Sequence, residues 1–171
     1  MNKKVTKLVI IFAGILAIVG CVSMFILSPI GQKTGNIEMP DADGSTAEIL
    51  SGITVEQKFQ NITENITEVA VVFDRAYYLY DEANMIIELA DGNNVLAKDS
   101  YSADNIPGSH RTYLKPNAPI NGYVGKELTI RIYTDSTAGT GLSLMTTNKG
   151  GSYKFGDQKV NGSICFSVIG E

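Results

Sequence analysis

The residues best suited to binding a ligand lie in one stretch, 73–82, which reads FDRAYYLYDE. Tyrosine rings stack on sugars or peptides, and their hydroxyls form hydrogen bonds, while neighbouring acids and arginine add further donors and acceptors. The residues of this predicted binding site are Asp74, Arg75, Tyr77, Tyr78, Tyr80 and Asp81. A second interpretation makes the same stretch the edge of a strand, with Tyr77 and Leu79 packed inward.

Other arrangements in the chain do not favour catalysis. His110 is the single histidine, and neither a Gly-x-Ser-x-Gly elbow nor an HExxH motif accompanies it. Asp74, Asp81 and Glu82 could form the carboxylate pair of a glycosidase only if the fold held two of them in a cleft. Acids after a strand more often cap turns, so we expect no enzymatic activity and no catalytic residue.

Metal binding has little support in the sequence. Residues 41–45 read DADGS and resemble a calcium loop, but the glycine comes two places early and no bidentate acid follows. Cys21 and Cys165 have no spacing or partners typical of a metal site, and no cofactor is expected. Calcium held by loop carbonyls and acids would leave no motif, so a structural calcium stays open.

The apolar residues concentrate near the N-terminus. Residues 8–27 read LVIIFAGILAIVGCVSMFIL without a charge, and a helix of that length spans the hydrocarbon core of a bilayer. Lys3, Lys4 and Lys7 precede it, and the positive-inside rule then places 1–7 in the cytoplasm and the rest outside. We therefore predict a single-pass cell-membrane protein with the bilayer as a partner.

Two alternatives to an uncleaved anchor remain. A cleavable signal peptide has a shorter apolar core and a small-residue cleavage site, whereas this run ends in Phe-Ile-Leu. Residues 18–21 read IVGC and resemble a bacterial lipobox, in which Cys21 would carry the lipid. The uncleaved anchor and the lipid on Cys21 would both tether the domain to the outer face of a membrane, whereas cleavage of a signal peptide would release it.

Beyond the anchor the chain is acidic and organised in two parts. Eleven Lys and Arg stand against eighteen Asp and Glu from residue 29 onward, and this balance disfavours nucleic acid as a partner. Residues 28–50 are rich in Gly, Pro, Asp, Ser and Thr without apolar periodicity, which predicts a flexible stalk. Residues 51–171 form the predicted extracytoplasmic domain.

This domain shows the two-residue period of half-buried strands. Apolar residues alternate in 53–59, in 69–73, in 85–89 and in 128–132, where Thr129, Arg131 and Tyr133 take the opposite face. Turn residues separate eight or nine such runs, and no run has helical spacing over three turns. We predict an all-β antiparallel sandwich, with Tyr101, Tyr113, Tyr123, Tyr133 and Tyr153 at ordinary sandwich positions.

The most specific turn signals are Gly-containing pairs. Residues 91–94 read DGNN between two alternating runs, and 149–151 read KGG. Asn161-Gly162 suits a type I′ turn, because both central residues can take positive φ. A two-residue hairpin is therefore predicted there, with Val160 facing Ser163.

The order of these runs resembles the jelly-roll, galactose-binding-like β-sandwich domains of bacterial surface and membrane proteins. The opening segments that resemble it are 56–59, 66–73 and the turn at 89–92, and the closing ones are 151–153 and 161–168. The similarity runs from 53 to 169 in order and consists of strands and turns. It implies a carbohydrate-linked role at the cell surface and transfers no catalytic residue.

We therefore expect a membrane-anchored, non-catalytic binding module for a cell-surface glycan. A different class of function also fits the sequence: a structural or assembly subunit whose anchor and sandwich edge contact other envelope proteins. A hydrolase is the third alternative. The lipoprotein anchored at Cys21 is compatible with each of them.

Overall fold

The computed structural model describes residues 34–75, 83–137 and 139–170. The regular secondary structure of this part of the chain is β-strand, apart from one short 3-10 helix at Ala103–Asn105. Its strands are β1 Gly44–Ser45, β2 Thr54–Gln60, β3 Ile66–Arg75, β4 Asn84–Asp91, β5 Asn94–Ser102, β6 Arg111–Leu114, β7 Glu127–Thr134, β8 Leu142–Phe155, β9 Gln158–Ile164 and β10 Phe166–Gly170. The all-β prediction is confirmed.

All strand pairs are antiparallel, and they form a curled, sandwich-like sheet. The larger part has the order β5-β4-β7-β2-β8-β9, and the smaller part has β6 and β10 on β3. The two parts join where Phe73–Arg75 of β3 pairs with Leu142–Leu144 of β8. Strand β8 therefore belongs to both parts of the sheet. Among the described residues, β5 pairs only with β4, and β6 pairs only with β3.

The core lies between the two parts and contains the residues predicted to alternate inward, but β4, predicted to be half-buried, is buried on both faces from Met85 to Ala90. Val69, Val71 and Phe73 of β3 are fully buried, and so are the alternating residues of β4 and β7. These are Met85, Ile87, Leu89, Leu128, Ile130 and Ile132. Burying such side chains is the main favourable contribution to folding, at roughly 1.5–3 kcal/mol each.

Two of the predicted turns have different outcomes. The 91–94 turn is confirmed, because Asp91 pairs with Asn94 across a two-residue loop whose Gly92 has φ 57°. The hairpin predicted at Asn161-Gly162 is wrong: both residues lie inside β9, and Asn161 pairs with Ser152. The actual turn is Gly156-Asp157, between the paired residues Phe155 and Gln158.

The glycines near the end of the chain form a bulge instead of turns. β8 runs without interruption through Gly150-Gly151, and its pairing with β9 shifts register between Thr147 and Ser152. Gly162 sits opposite this bulge with φ 107°, and a Cβ there would lie 2.4 Å from the Thr147 carbonyl oxygen. Gly162 has the positive φ that was predicted, but here this conformation lets the backbone of β9 approach that of β8 at the bulge instead of forming a turn.

The described part of the predicted stalk, residues 34–50, packs on the sandwich. Ile37 exchanges two backbone hydrogen bonds with Val168 of β10, and Ile49 donates to the Leu142 carbonyl at 2.9 Å. The Ile49 side chain is fully buried in the core, next to an exposed Leu50. A flexible stalk is therefore wrong for 34–50, because the segment's hydrogen-bonding groups find partners on β8 and β10.

The predicted anchor, 8–27, and the alternative lipid site Cys21 lie outside the described residues. Within the part that the structure describes, no helix is long and apolar enough to cross a membrane. The anchor stays a prediction from the sequence.

Candidate functional site

The predicted binding stretch is only partly within the described residues. Tyr77, Tyr78, Tyr80 and Asp81 lie outside them, and their role stays a prediction. Asp74 and Arg75 end β3, where it pairs with β8. The Asp74 carboxylate accepts a hydrogen bond from the Arg75 backbone N–H at 2.9 Å.

Arg75 fixes the segment that follows β5. Its guanidinium donates to the carbonyl oxygens of Ile106 at 3.1 Å and Asp104 at 3.2 Å, and lies 3.9 Å from the Asp104 carboxylate. Gly108 packs directly on it, since a Cβ there would meet Arg75 Cβ at 2.9 Å. Because its guanidinium makes three contacts with one loop, Arg75 holds residues 104–108 in position against the end of β3.

The segment that Arg75 holds forms one end of a groove, which we call the edge groove. It lies between β5 and β6 and consists of two adjoining cavities of about 350 and 310 Å³. Asp99 and Lys115 line both cavities; residues 105–107 close one end, and 115–118 the other. The groove is thus the open edge between the two parts of the sheet.

Two tyrosines connect the walls of the edge groove. Tyr101 lies on the inner face of β5, opposite Met85, and its hydroxyl contacts the Asp99 carboxylate at 2.7 Å and the Tyr113 carbonyl of β6. The single hydroxyl proton is shared between two acceptors. Burial, with the hydrogen bond and charge of Asp99, raises the pKa of Tyr101 far above its usual value, so the hydroxyl stays a donor at neutral pH.

The Tyr113 ring lies at the surface of the edge groove. It is 38% exposed, and the Lys115 ammonium lies 5.5 Å from its centroid. The same ammonium is 3.6 Å from the Glu68 carboxylate. The Tyr113 ring thus offers a partly exposed, flat apolar face beside charged groups, and a face of this kind can pack against a ligand.

Two polar groups of β6 also belong to the edge groove. Arg111 is exposed, and its guanidinium has no hydrogen bond or ion pair with any residue in the described ranges. The Thr112 hydroxyl is buried and has no hydrogen-bond partner within the part of the chain that the structure describes. With no acceptor among the described residues, the Arg111 guanidinium can bind an acceptor on a ligand.

No protein-family model and no curated protein matches this chain. Its function is therefore inferred from the residues themselves.

A second concavity lies on the outer face of the larger part of the sheet. This face cavity has a volume of about 470 Å³ and is lined by Glu56, Lys58, Glu127, Ser152, Tyr153, Lys154 and Lys159. A row of charged residues leads to it across six neighbouring strands, each opposite the next: Lys98, Glu88, Arg131, Glu56, Lys154 and Lys159. Cross-strand pairs of opposite charge stabilise a sheet.

Glu88 is the most buried charge in this row. Its carboxylate accepts from the Tyr133 hydroxyl at 2.6 Å and lies 3.1 Å from the Lys98 ammonium. Burial acts to raise the pKa of Glu88, but the hydrogen bonds from Tyr133 and Lys98, together with the charges of Lys98 and Arg131, outweigh it and hold the pKa below its usual value. Glu88 is thus a structural anion of the sheet.

The residues considered for catalysis or metal binding are engaged elsewhere. His110 Nδ1 lies 2.8 Å from the Gly108 carbonyl, in the turn before β6. The Asp43 carboxylate accepts from the Asn148 N–H at 2.9 Å, and Cys165 is a buried thiol whose pKa burial raises. Across the ranges that the structure describes, no three His, Cys, Asp or Glu residues converge as metal ligands.

The edge groove was not predicted from the sequence. Tyr101 and Tyr113 were expected at ordinary sandwich positions, yet pairing brings them together at an open edge. β6 aligns with β3, far away in sequence, so no local spacing indicates that β5 and β6 face each other. The available signal was the HRTYLK run at 110–115, where an exposed aromatic lies among cations.

Proposed function

We propose that this chain is a membrane-anchored, extracytoplasmic and non-catalytic binding module that recognises a cell-surface glycan through the edge groove. The observation that carries this proposal is the exposed Tyr113 ring beside Lys115 and an exposed Arg111 that has no partner among the described residues. Sugars bind by stacking on aromatic rings and by hydrogen bonds to their hydroxyls, and the edge groove supplies both. A jelly-roll relationship belongs to the proposal and is supported by the antiparallel, sandwich-like sheet.

Preorganisation of the edge groove also supports binding. Arg75 fixes 104–108 at one end, and the Tyr101 hydroxyl links β5 to β6 across the floor. Walls that are already fixed lose little conformational entropy when a ligand binds. The chain contains no Trp, and the stacking ring that the edge groove offers is that of Tyr113.

The anchored, outward location rests on the sequence. The uncharged run at 8–27 and the preceding lysines support a single span with the domain outside. A domain held at that surface meets envelope polysaccharides as its nearest large ligands.

Titration of the purified full-length chain with envelope polysaccharides tests the proposal. Tyr113→Ala should weaken binding by roughly tenfold, the equivalent of about 1.4 kcal/mol for a stacked ring. Tyr123→Ala is the matched control, because Lys126 lies 4.6 Å over its ring and Tyr123 lines neither the edge groove nor the face cavity. The absence of binding to any glycan would refute the glycan function.

The stretch predicted from the sequence is tested in the same titration. Tyr78→Ala should weaken binding if residues 77–81 contribute to the site, and Tyr113→Ala should weaken it if the edge groove is the site. If Tyr78→Ala weakens polysaccharide binding and Tyr113→Ala does not, the binding site is not the edge groove.

A role as an assembly subunit is the second candidate. It is favoured by β5, which pairs only with β4 among the described residues and exposes 45% of Val95. An unpaired strand edge is a surface on which another chain can add a strand. Crosslinking in intact cells should then recover a heterologous partner, and recovery of the monomer alone would count against this role.

A further inference from the structure

The face cavity is lined by three lysines from three different strands. Lys58 lies on β2, Lys154 on β8 and Lys159 on β9, and all three line a volume of about 470 Å³. The Ser152 hydroxyl lies in the same wall. Cations from separate strands converge on one volume here, which no single stretch of sequence would indicate.

Two of these lysines form an unfavourable pair. Lys154 and Lys159 are directly opposite each other in the β8–β9 register. Like charges in that position repel, because their Cβ atoms are only about 4.5–5.5 Å apart. Lys159 has no hydrogen-bond or ion-pair partner in the described part of the chain. The sheet therefore keeps a repulsive pair that an anion would relieve.

The acids of the face cavity do not neutralise it. Glu127 is occupied by Lys58 at 2.7 Å, and Glu56 is shared between Arg131 at 3.5 Å and Lys154 at 3.7 Å. Asp157 lines only the adjoining concavity, which also includes Lys154. Three lysines against two glutamates leave the lining with a formal charge of +1, in a chain whose formal charge is −4. A positive site in an acidic protein favours an anionic ligand.

We propose that the face cavity is a binding site for a phosphate group, held by the ammoniums of Lys58, Lys154 and Lys159. Lysine binds phosphate as a point charge, and a tetrahedral oxyanion can direct separate oxygens at donors from three strands. A planar carboxylate has only two oxygens for three donors. The site is separate from the edge groove and does not depend on the glycan function.

Inorganic phosphate is the first probe, titrated into the full-length chain by calorimetry at constant ionic strength. We expect saturable binding that Lys159→Gln weakens about three- to tenfold, the loss of one solvent-exposed charged contact. The Lys154→Gln/Lys159→Gln double variant should abolish binding. Because Lys159→Gln also relieves repulsion, its unfolding midpoint should not fall, so lost binding cannot be attributed to lost structure.

Lys149→Gln is the matched control, because Lys149 is an exposed lysine on the same β8 strand and lies outside the face cavity. It should bind phosphate as the unchanged chain does. Absence of saturable binding, or equal weakening by Lys149→Gln and Lys159→Gln, would overturn the proposal in favour of diffuse attraction.

Competition against inorganic phosphate then identifies the source of the group. Phosphatidylglycerol vesicles present a lipid phosphate, and soluble poly(glycerol phosphate) presents a polymer phosphodiester. Displacement by either one in a Lys159-dependent manner supports the site and identifies its source. Failure of both would restrict the site to free phosphate, and phosphatidylcholine vesicles serve as the uncharged control.

Discussion

Ile49 offers the sharpest test of the fold, because the sequence places it in a flexible stalk and the structure places it in the core. Its side chain is 0% exposed, whereas that of the adjacent Leu50 is 46% exposed. Its backbone is fixed by bonds of 2.9 Å from its N–H to the Leu142 carbonyl and from the Thr140 hydroxyl to its own carbonyl. Substitution there leaves a cavity that the backbone cannot easily close.

The expected cost of Ile49→Ala follows from that burial. Three carbon groups leave the core at about 0.8 kcal/mol each, or roughly 2.4 kcal/mol, and the cavity term brings the loss to about 3–4 kcal/mol. Leu50→Ala should cost under about 1 kcal/mol, since half of its side chain already contacts water.

Urea unfolding of the full-length chain, followed by far-ultraviolet circular dichroism, measures both values. The two variants should share one m value and differ in midpoint, because only the native core changes. A difference of less than about 0.5 kcal/mol between them would refute the packing of 34–50 on the sandwich and restore the flexible stalk.

Three further predictions concern charge and backbone. Tyr101→Phe should cost about 1 kcal/mol at neutral pH. Because the pKa of Tyr101 is raised in the folded state, its contribution to the free energy of unfolding is complete below about pH 10 and is lost as pH rises through the folded pKa. The urea midpoint of Tyr101→Phe should therefore fall less steeply at alkaline pH than that of the unchanged chain. An identical fall in both would contradict this. The pKa of Glu88 is lowered in the folded state, so its contribution to the free energy of unfolding is present above about pH 4.5 and is lost as pH falls through the folded pKa. The melting temperature of Glu88→Gln should therefore depend less on pH in the acid range. The same acid dependence in the variant and the unchanged chain would count against this. Gly162→Ala should lower the free energy of unfolding by roughly 1–3 kcal/mol, because Gly162 has φ 107° and the new Cβ would collide with the Thr147 carbonyl. Gly151→Ala is the control, since a Cβ there meets no atom within 4 Å. Equal melting temperatures for the two variants would disprove the close approach.

The strand class and the inward faces could be predicted from the sequence. Met85, Ile87 and Leu89 alternate along the chain, and a period of two places them on one face whatever their neighbours are. The 91–94 turn was equally local, since Gly92 supplies the positive φ that a two-residue hairpin needs.

Features that depend on distant pairing could not be predicted. Gly162 has the positive φ that its Asn-Gly sequence indicates, but a turn and a bulge both use that conformation, and only the β8–β9 register distinguishes them. Residues 34–50 follow the edges of β8 and β10 irregularly, so they leave no period in the sequence. The edge groove exists because β6 pairs with β3 instead of with β5, its neighbour in sequence, and the face cavity combines residues of β2, β7, β8 and β9.

The fastening of residues 34–50 has a mechanical consequence. Tension applied through the residues that precede 34 would first load the Gly35 N–H bond to the Ile62 carbonyl and the paired bonds of Ile37 with Val168. Further along, the force would meet the bonds that Asp43 and Thr46 donate to carbonyls of β8. The domain would therefore yield to traction by stepwise peeling of this segment, and the interior would be exposed only when the force reached Ile49.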